Sequence, residues 1–242
     1  IVDTHALMRH FLRAAQSSGA VPAFGVEVVG LRRGRDGWEV EVREQDGGRC
    51  SILARAVVNC AGLDSGNVAA LAGIDQDEAR YRIHYRKGVY FRVTQGVADL
   101  PQMLIYPVPP MDATVGIHTV PDLGGGMRLG PSDSWSDEID YTVDGGLRDH
   151  FFGACSPFLP ALRPEHLAPD TAGIQAKRYG PGEESRDFVI RHEADRGLPG
   201  LVNLVGIESP GLTSSPAIGP MVARIIDEIV SGQERPWPSR GS

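Results

Sequence analysis

Apolar residues recur at helical spacing near the start of the chain, where Leu7, Met8, Phe11, Leu12, Ala14 and Ala15 form one stripe. With Asp3 or Thr4 as N-cap and Gly19 as stop, the spacing predicts an amphipathic helix over residues 3–17. Two β-patterned runs follow, residues 21–33 and 38–43, on either side of the hairpin-type tetrapeptide Gly34-Arg35-Asp36-Gly37. A third strand, 51–55, is predicted after the Asp46-Gly47-Gly48 turn, and the three make a small antiparallel sheet. The run Ala56-Val57-Val58-Asn59-Cys60-Ala61-Gly62 then reads as an apolar strand ending in small residues, followed by a helix from Asn67 to Ala72. A strand ending in Ala-Gly lets a ligand or another backbone approach closely.

The texture changes between about 78 and 178. Short strands are expected at 83–86, 88–93, 103–107, 114–120, 127–131 and 173–178, joined by connections rich in Gly and Pro. Residues 143–162 look only partly helical, because Gly145, Gly146, Gly153 and Pro157 interrupt them. This block predicts a second domain built on an antiparallel sheet. Apolar runs return at 187–191 and 201–205, and Ile218, Met221, Val222, Ile225, Ile226 and Ile229 then repeat at helical spacing up to Gly232. Residues 233–242 read as a polar tail.

The composition is that of an ordinary globular protein, with 242 residues, 41% hydrophobic and 23% charged. A net charge of −7 without any Lys/Arg-rich run argues against nucleic acid as a partner. No stretch reaches the roughly 20 apolar residues of a membrane span. Cys50, Cys60 and Cys155 are odd in number and widely spaced, which suggests no disulfide framework or metal site. The expected location is a reducing cytoplasm, or the periphery of a membrane. Because the sequence opens at Ile1 and enters a helix almost at once, a preceding segment is expected.

The most informative stretch runs from Val205 to Gly219 through Gly206, Glu208, Ser209, Pro210, Gly211, Leu212, Thr213, Ser214 and Pro216. A strand delivers a glycine-containing loop to a helix whose first turn is expected to hold Pro216. Free amides and the helix dipole at such a start favour negative charge. An ordinary capped helix after a tight turn is the alternative.

Gly206 to Gly219 resembles the flavin-facing loop and last helix of the D-amino-acid-oxidase superfamily of FAD-dependent oxidoreductases. Further pieces resemble its L-2-hydroxyglutarate dehydrogenases in the same order: Asn59-Cys60-Ala61-Gly62, Lys87-Gly88-Val89-Tyr90, Leu104-Ile105-Tyr106-Pro107-Val108-Pro109, Val115-Gly116-Ile117-His118-Thr119, Ala172-Gly173-Ile174-Gln175-Ala176 and Asp187-Phe188-Val189-Ile190. The resemblance covers nearly the whole chain and implies an α/β (α+β) fold. In that fold an incomplete Rossmann-like FAD-binding domain, residues 1–77 and 179–232, carries an inserted antiparallel-sheet substrate domain, residues 78–178. It implies FAD contacts at Val28, Ala61, Gly62, Gly211, Leu212, Thr213 and Ser214. For Val28 the strand offers several registers, and a plain sheet valine is the other reading. No Gly-x-Gly-x-x-Gly fingerprint is present, since Gly124-Gly125-Gly126 lacks the spacing. The 242 residues by themselves are therefore expected to be inactive or badly impaired.

Oxidation of a 2-hydroxy acid needs a hydride acceptor, a base for the hydroxyl proton, and groups that hold carboxylates. His118 is the candidate base, with a buried, hydrogen-bonded structural histidine as the alternative. Tyr90, Tyr106, Lys177 and Ser209 are candidates for the substrate. The expected partners are a small carboxylate substrate and an electron acceptor, oxygen or quinone. Amine oxidation, of glycine, sarcosine or a D-amino acid, is the rival activity, and a non-catalytic flavoprotein-like scaffold or electron-transfer partner is the rival class. No histidine spacing suggests a metal site.

Overall fold

A computed structural model describes residues 1–94, 97, 100–108 and 116–232. Pro109, Thr114, Val115 and the expected tail 233–242 lie outside the described residues. The chain divides into two compact units. One comprises Ile1–Pro22 and Arg86–Ile174, and the other Ala23–Tyr85 and the described residues from Gln175 onward. Residues 1–22 thus group with Arg86–Ile174 and not with residues 23–85.

In the first unit, helix α1 (Thr4–Ser17) forms as expected, with the Asp3 carboxylate accepting from the Ala6 amide at 2.9 Å. None of its residues is buried, and Met8 and Phe11 stay exposed. Strand β5 (His84–Val93) merges the two expected pieces at 83–86 and 88–93, and β6 (His118–Pro121) pairs antiparallel with β7 (Met127–Ser136). Strand β8 (Leu167–Lys177) completes the order β6-β7-β5-β8 and is longer than the expected 173–178. The turn between β6 and β7 contains Gly124, Gly125 and Gly126. Asp122 accepts from the Gly124 and Gly126 amides there, so these glycines serve a hairpin. The segment 103–107 is not a strand, although Thr119 holds it against β6.

One sheet face is apolar. Val89 and Phe91 of β5, Met127 and Leu129 of β7 and Leu167 of β8 pack on Phe151 and Cys155 of helix α3 (Arg148–Cys155). Phe91 and Phe151 stack at 4.5 Å and are fully buried, so truncating either to alanine costs about 3–5 kcal/mol.

In the second unit, β1 (Val26–Arg33), β2 (Trp38–Glu44) and β3 (Arg49–Ala54) form the expected antiparallel sheet, with β1 starting later than residue 21. A second sheet has the order β4-β10-β9: β4 (Val57–Asn59) lies parallel to β10 (Leu201–Val205), and β9 (Val189–His192) antiparallel to it. Every residue of β10 is buried, because both its faces are covered. Val202 and Leu204 meet Ile218, Val222, Ile225 and Ile229 of helix α4 (Gly211–Ser231). Leu201 and Val205 join Leu31, Trp38 and Ala69, the last from helix α2 (Ser65–Leu71).

Helix α4 begins at Gly211, so Pro216 lies well inside it and not in the first turn as expected. Pro216 has no N–H for the Leu212 carbonyl, and the Ser215 hydroxyl donates to that carbonyl instead, at 2.8 Å.

Candidate functional site

The register of β6 and β7 sets His118 opposite Gly130 and Val120 opposite Arg128. Since Leu129 and Met127 point into the core, His118, Gly130 and Arg128 share the other face of the sheet. His118 is 7% exposed, and its Nδ1 lies 2.9 Å from the Gly116 carbonyl. A carbonyl only accepts, so in the neutral ring Nδ1 carries the proton and Nε2 keeps its lone pair. The hydrogen bond of the structural alternative therefore exists, and it leaves the other nitrogen able to take a proton.

Tyr106 lies over this ring, with centroids 4.0 Å apart and planes 22° from parallel. Its position follows from Thr119, which is fully buried. The Thr119 hydroxyl donates to the Met103 carbonyl at 2.8 Å and accepts from the Ile105 amide at 2.7 Å, while the Thr119 amide donates to Ile105. Tyr90 follows on β5, packed over Gly130. A Cβ on Gly130 would stand 2.5 Å from the Tyr90 ring, so only glycine fits there. Burial, then the neighbouring Tyr106 and Asp133, push the Tyr90 phenol above its ordinary range while Arg128 pulls it down, so it is a protonated donor at neutral pH. The structure thus brings His118, Tyr106 and Tyr90 together.

In the second unit, Lys177 is nearly buried, with Nζ on the Glu208 carboxylate and 5.5 Å from the centre of the Tyr179 ring. Ser209, next to Glu208, is exposed. Ala61 and Gly62 are exposed at the end of β4. Gly62 has φ +58°, and nothing lies within 4 Å of where its Cβ would be, so its backbone is open to a flat or extended ligand. Gly211 is different, because a Cβ there would collide with Ile207; its smallness serves packing within the chain. Pro210 gives helix α4 no side-chain cap, which leaves the first-turn amides of Leu212 and Thr213 without intrahelical acceptors. Val28 lies half exposed on β1 beside a bulge. Among the described residues, no three His, Cys, Asp or Glu side chains form a metal-holding group, and no helix is long and apolar enough to cross a membrane.

A buried polar network, which sequence reasoning missed, supports the Ala61 turn. The Asn59 carboxamide accepts from the Ala61 amide at 3.1 Å and donates to Asn203 at 2.9 Å. Asn203 in turn donates to Glu193 at 3.0 Å, and the fully buried Glu193 also receives Tyr81 at 2.6 Å and Arg196 at 2.6 Å. Only the Asn59-Cys60-Ala61-Gly62 motif hinted at it, because Asn203 and Glu193 lie more than 100 residues from Asn59 in sequence.

The profile described as FAD dependent oxidoreductase (DAO) matches residues 1–225. The chain belongs to this family. Its mixed helix and strand fold is that of the family's solved relatives. L-α-glycerophosphate oxidase from Mycoplasma pneumoniae, solved with FAD bound, superposes with a TM-score of 0.72 at 23% identity over 89% of this chain and 53% of that one. A mitochondrial L-2-hydroxyglutarate dehydrogenase from Arabidopsis thaliana is 36% identical over 183 residues, 71% of this chain and 38% of that protein. A glycerol 3-phosphate dehydrogenase from Caloramator mitchellensis is 29% identical over 74% of this chain and 35% of its own length. The chain therefore spans well under half the length of these two relatives. FAD is the family's cofactor, and the open backbone at Gly62 and the uncapped first turn of α4 fit its polar edges in the donor groups they offer.

Proposed function

We propose that the protein containing this chain oxidises a small 2-hydroxy acid of the L-2-hydroxyglutarate type to the 2-oxo acid, with FAD as cofactor. The observation that carries this reading is the Nδ1 contact of His118 with the Gly116 carbonyl, which leaves Nε2 as a proton acceptor on a polar sheet face. His118 takes the hydroxyl proton at Nε2 as the C2–O bond becomes a carbonyl. FAD, when bound, supplies the two-electron acceptor for the hydride leaving C2, and oxygen or a quinone reoxidises it. Tyr90 and Tyr106 donate to the substrate carboxylate. Lys177, which Glu208 engages, and Ser209 are also proposed to contact the substrate, and Lys177→Arg, which keeps the charge beside Glu208, and Ser209→Ala test this through KM. Val28, Ala61, Gly62, Gly211, Leu212, Thr213 and Ser214 are the residues proposed to hold FAD.

The 29% identity to a glycerol 3-phosphate dehydrogenase favours a second reading, in which the same base serves a secondary alcohol next to a phosphate. Anaerobic bleaching of the flavin in the full-length protein decides between them. L-2-Hydroxyglutarate is expected to reduce it faster than glycerol 3-phosphate, glycine or sarcosine. Reduction by amines alone overturns the proposal, and a full-length protein that takes up no FAD supports the non-catalytic alternative.

A further inference from the structure

Three cations of this sheet, Arg86, Lys87 and Arg128, are held by carboxylates, and they differ in exposure. Arg86 donates from Nε to Asp133 at 2.5 Å and lies over the Trp135 ring at 5.2 Å. Lys87 is held by Asp140 at 2.5 Å. Arg128 uses only Nε, on Asp170, and its Nη1 and Nη2 have no partner among the described residues. Its side chain is 40% exposed, against 20% for Arg86 and 14% for Lys87. An arginine pinned at Nε by a mostly buried carboxylate presents its two terminal nitrogens as a fixed fork, the geometry that matches a carboxylate.

The location of this fork follows from the register. Arg128 is two residues from Gly130, and Gly130 faces His118, so the Arg128 and His118 side chains leave the same sheet face, with Asp170 of β8 holding the guanidinium on the β5 side of β7, where Tyr90 lies. Tyr90 lies over Gly130 between them, and Arg128 is close enough to act on its phenol. Because Gly130 has no side chain, the Tyr90 ring occupies the space above it, and its phenol is the group between base and fork.

We propose that Arg128 binds the second carboxylate of a dicarboxylic 2-hydroxy acid, and that Asp170 is the positioning residue that aims it. This rests on the 2-hydroxy acid reading above. It makes Arg128 the residue that separates a dicarboxylate from a monocarboxylate of the same reacting end. The competing account is an exposed ion pair of little energetic weight, which discriminates between no substrates.

The test uses the full-length, FAD-loaded protein with L-2-hydroxyglutarate and L-lactate. Arg128→Met is expected to raise KM for the dicarboxylate about ten- to hundred-fold more than KM for lactate, the range of a charge-assisted pair. Arg128→Lys keeps the aliphatic stem and the charge, recovers part of the loss, and carries the test if Arg128→Met does not fold. Asp170→Asn is expected to fall between wild type and Arg128→Met. Calorimetric binding of 2-oxoglutarate against pyruvate reads the same subsite without turnover, and its ratio is expected to shift in step. Equal effects on both acids, or none, overturn the assignment of Arg128. Failure of the wild type to oxidise either acid overturns the function reading and this inference together; activity of the wild type with an unaltered Arg128→Met overturns this inference alone.

Discussion

His118 and Tyr106 stack at a centroid distance of 4.0 Å, although eleven residues separate them and only one of the two lies on a strand. The stack depends on Thr119, the residue after His118, which fixes the backbone on the N-terminal side of Tyr106. One short stretch of β6 thus supplies both the proposed base and the clamp for the ring that covers it.

Replacing the base isolates its chemical share. His118→Gln in the full-length protein is expected to slow anaerobic flavin reduction about 10²- to 10⁴-fold, the usual contribution of a positioned base, and to leave the flavin spectrum of the oxidised protein unaltered. Stopped-flow absorbance checks this, and a rate within a factor of three of wild type rejects His118 as the base.

Thr119→Val keeps shape and removes the hydroxyl, so the Ile105 amide and the Met103 carbonyl both lose a partner. A stability loss of about 1–3 kcal/mol is expected in denaturant titration. Release of Tyr106 also predicts that Thr119→Val and Tyr106→Leu alter the pH dependence of flavin reduction in the same direction, while Tyr106→Phe, which keeps the stack, does not.

Lys177 and Glu208 are each nearly buried, so removing one leaves the other charge uncompensated. Lys177→Met is expected to cost about 3–5 kcal/mol. The double variant Lys177→Met/Glu208→Leu should regain most of that loss. Additive losses in urea titration would show that the pair is not coupled.

Tyr81 sets an alkaline limit on the second unit. Burial, then Glu193, push its phenol well above the ordinary value near 10, while its unfolded-state pKa stays there. A pKa raised by folding contributes stability that is complete below pH ~10 and declines as pH rises beyond it. Thermal melts from pH 8 to 11 are expected to show that decline. Tyr81→Phe should flatten it while lowering stability at pH 8, since Glu193 loses a donor; an identical slope in both proteins rejects the assignment.

Elements with strong local signals were legible in the chain itself. Helix α1 with its Asp3 cap, the β1–β2 hairpin, β10 and the body of α4 follow from spacing, turn residues and caps, which act between neighbours along the chain. Family motifs likewise picked out His118, Tyr106 and Tyr90, which the structure gathers on one face. Tertiary structure decided what depends on distant partners. The start of α4 moved to Gly211 because a hydroxyl from Ser215 satisfies the carbonyl that Pro216 leaves without an amide, so proline did not mark the first turn. Segment 103–107 is not a strand; Thr119 holds it through its hydroxyl and a single backbone hydrogen bond to Ile105. Lys177 met Glu208, Asn59 met Asn203 and Glu193, and the Arg128 fork was aimed by Asp170. Charge and hydrogen-bond partners across a fold leave no periodic trace in sequence, because what selects them is proximity in space.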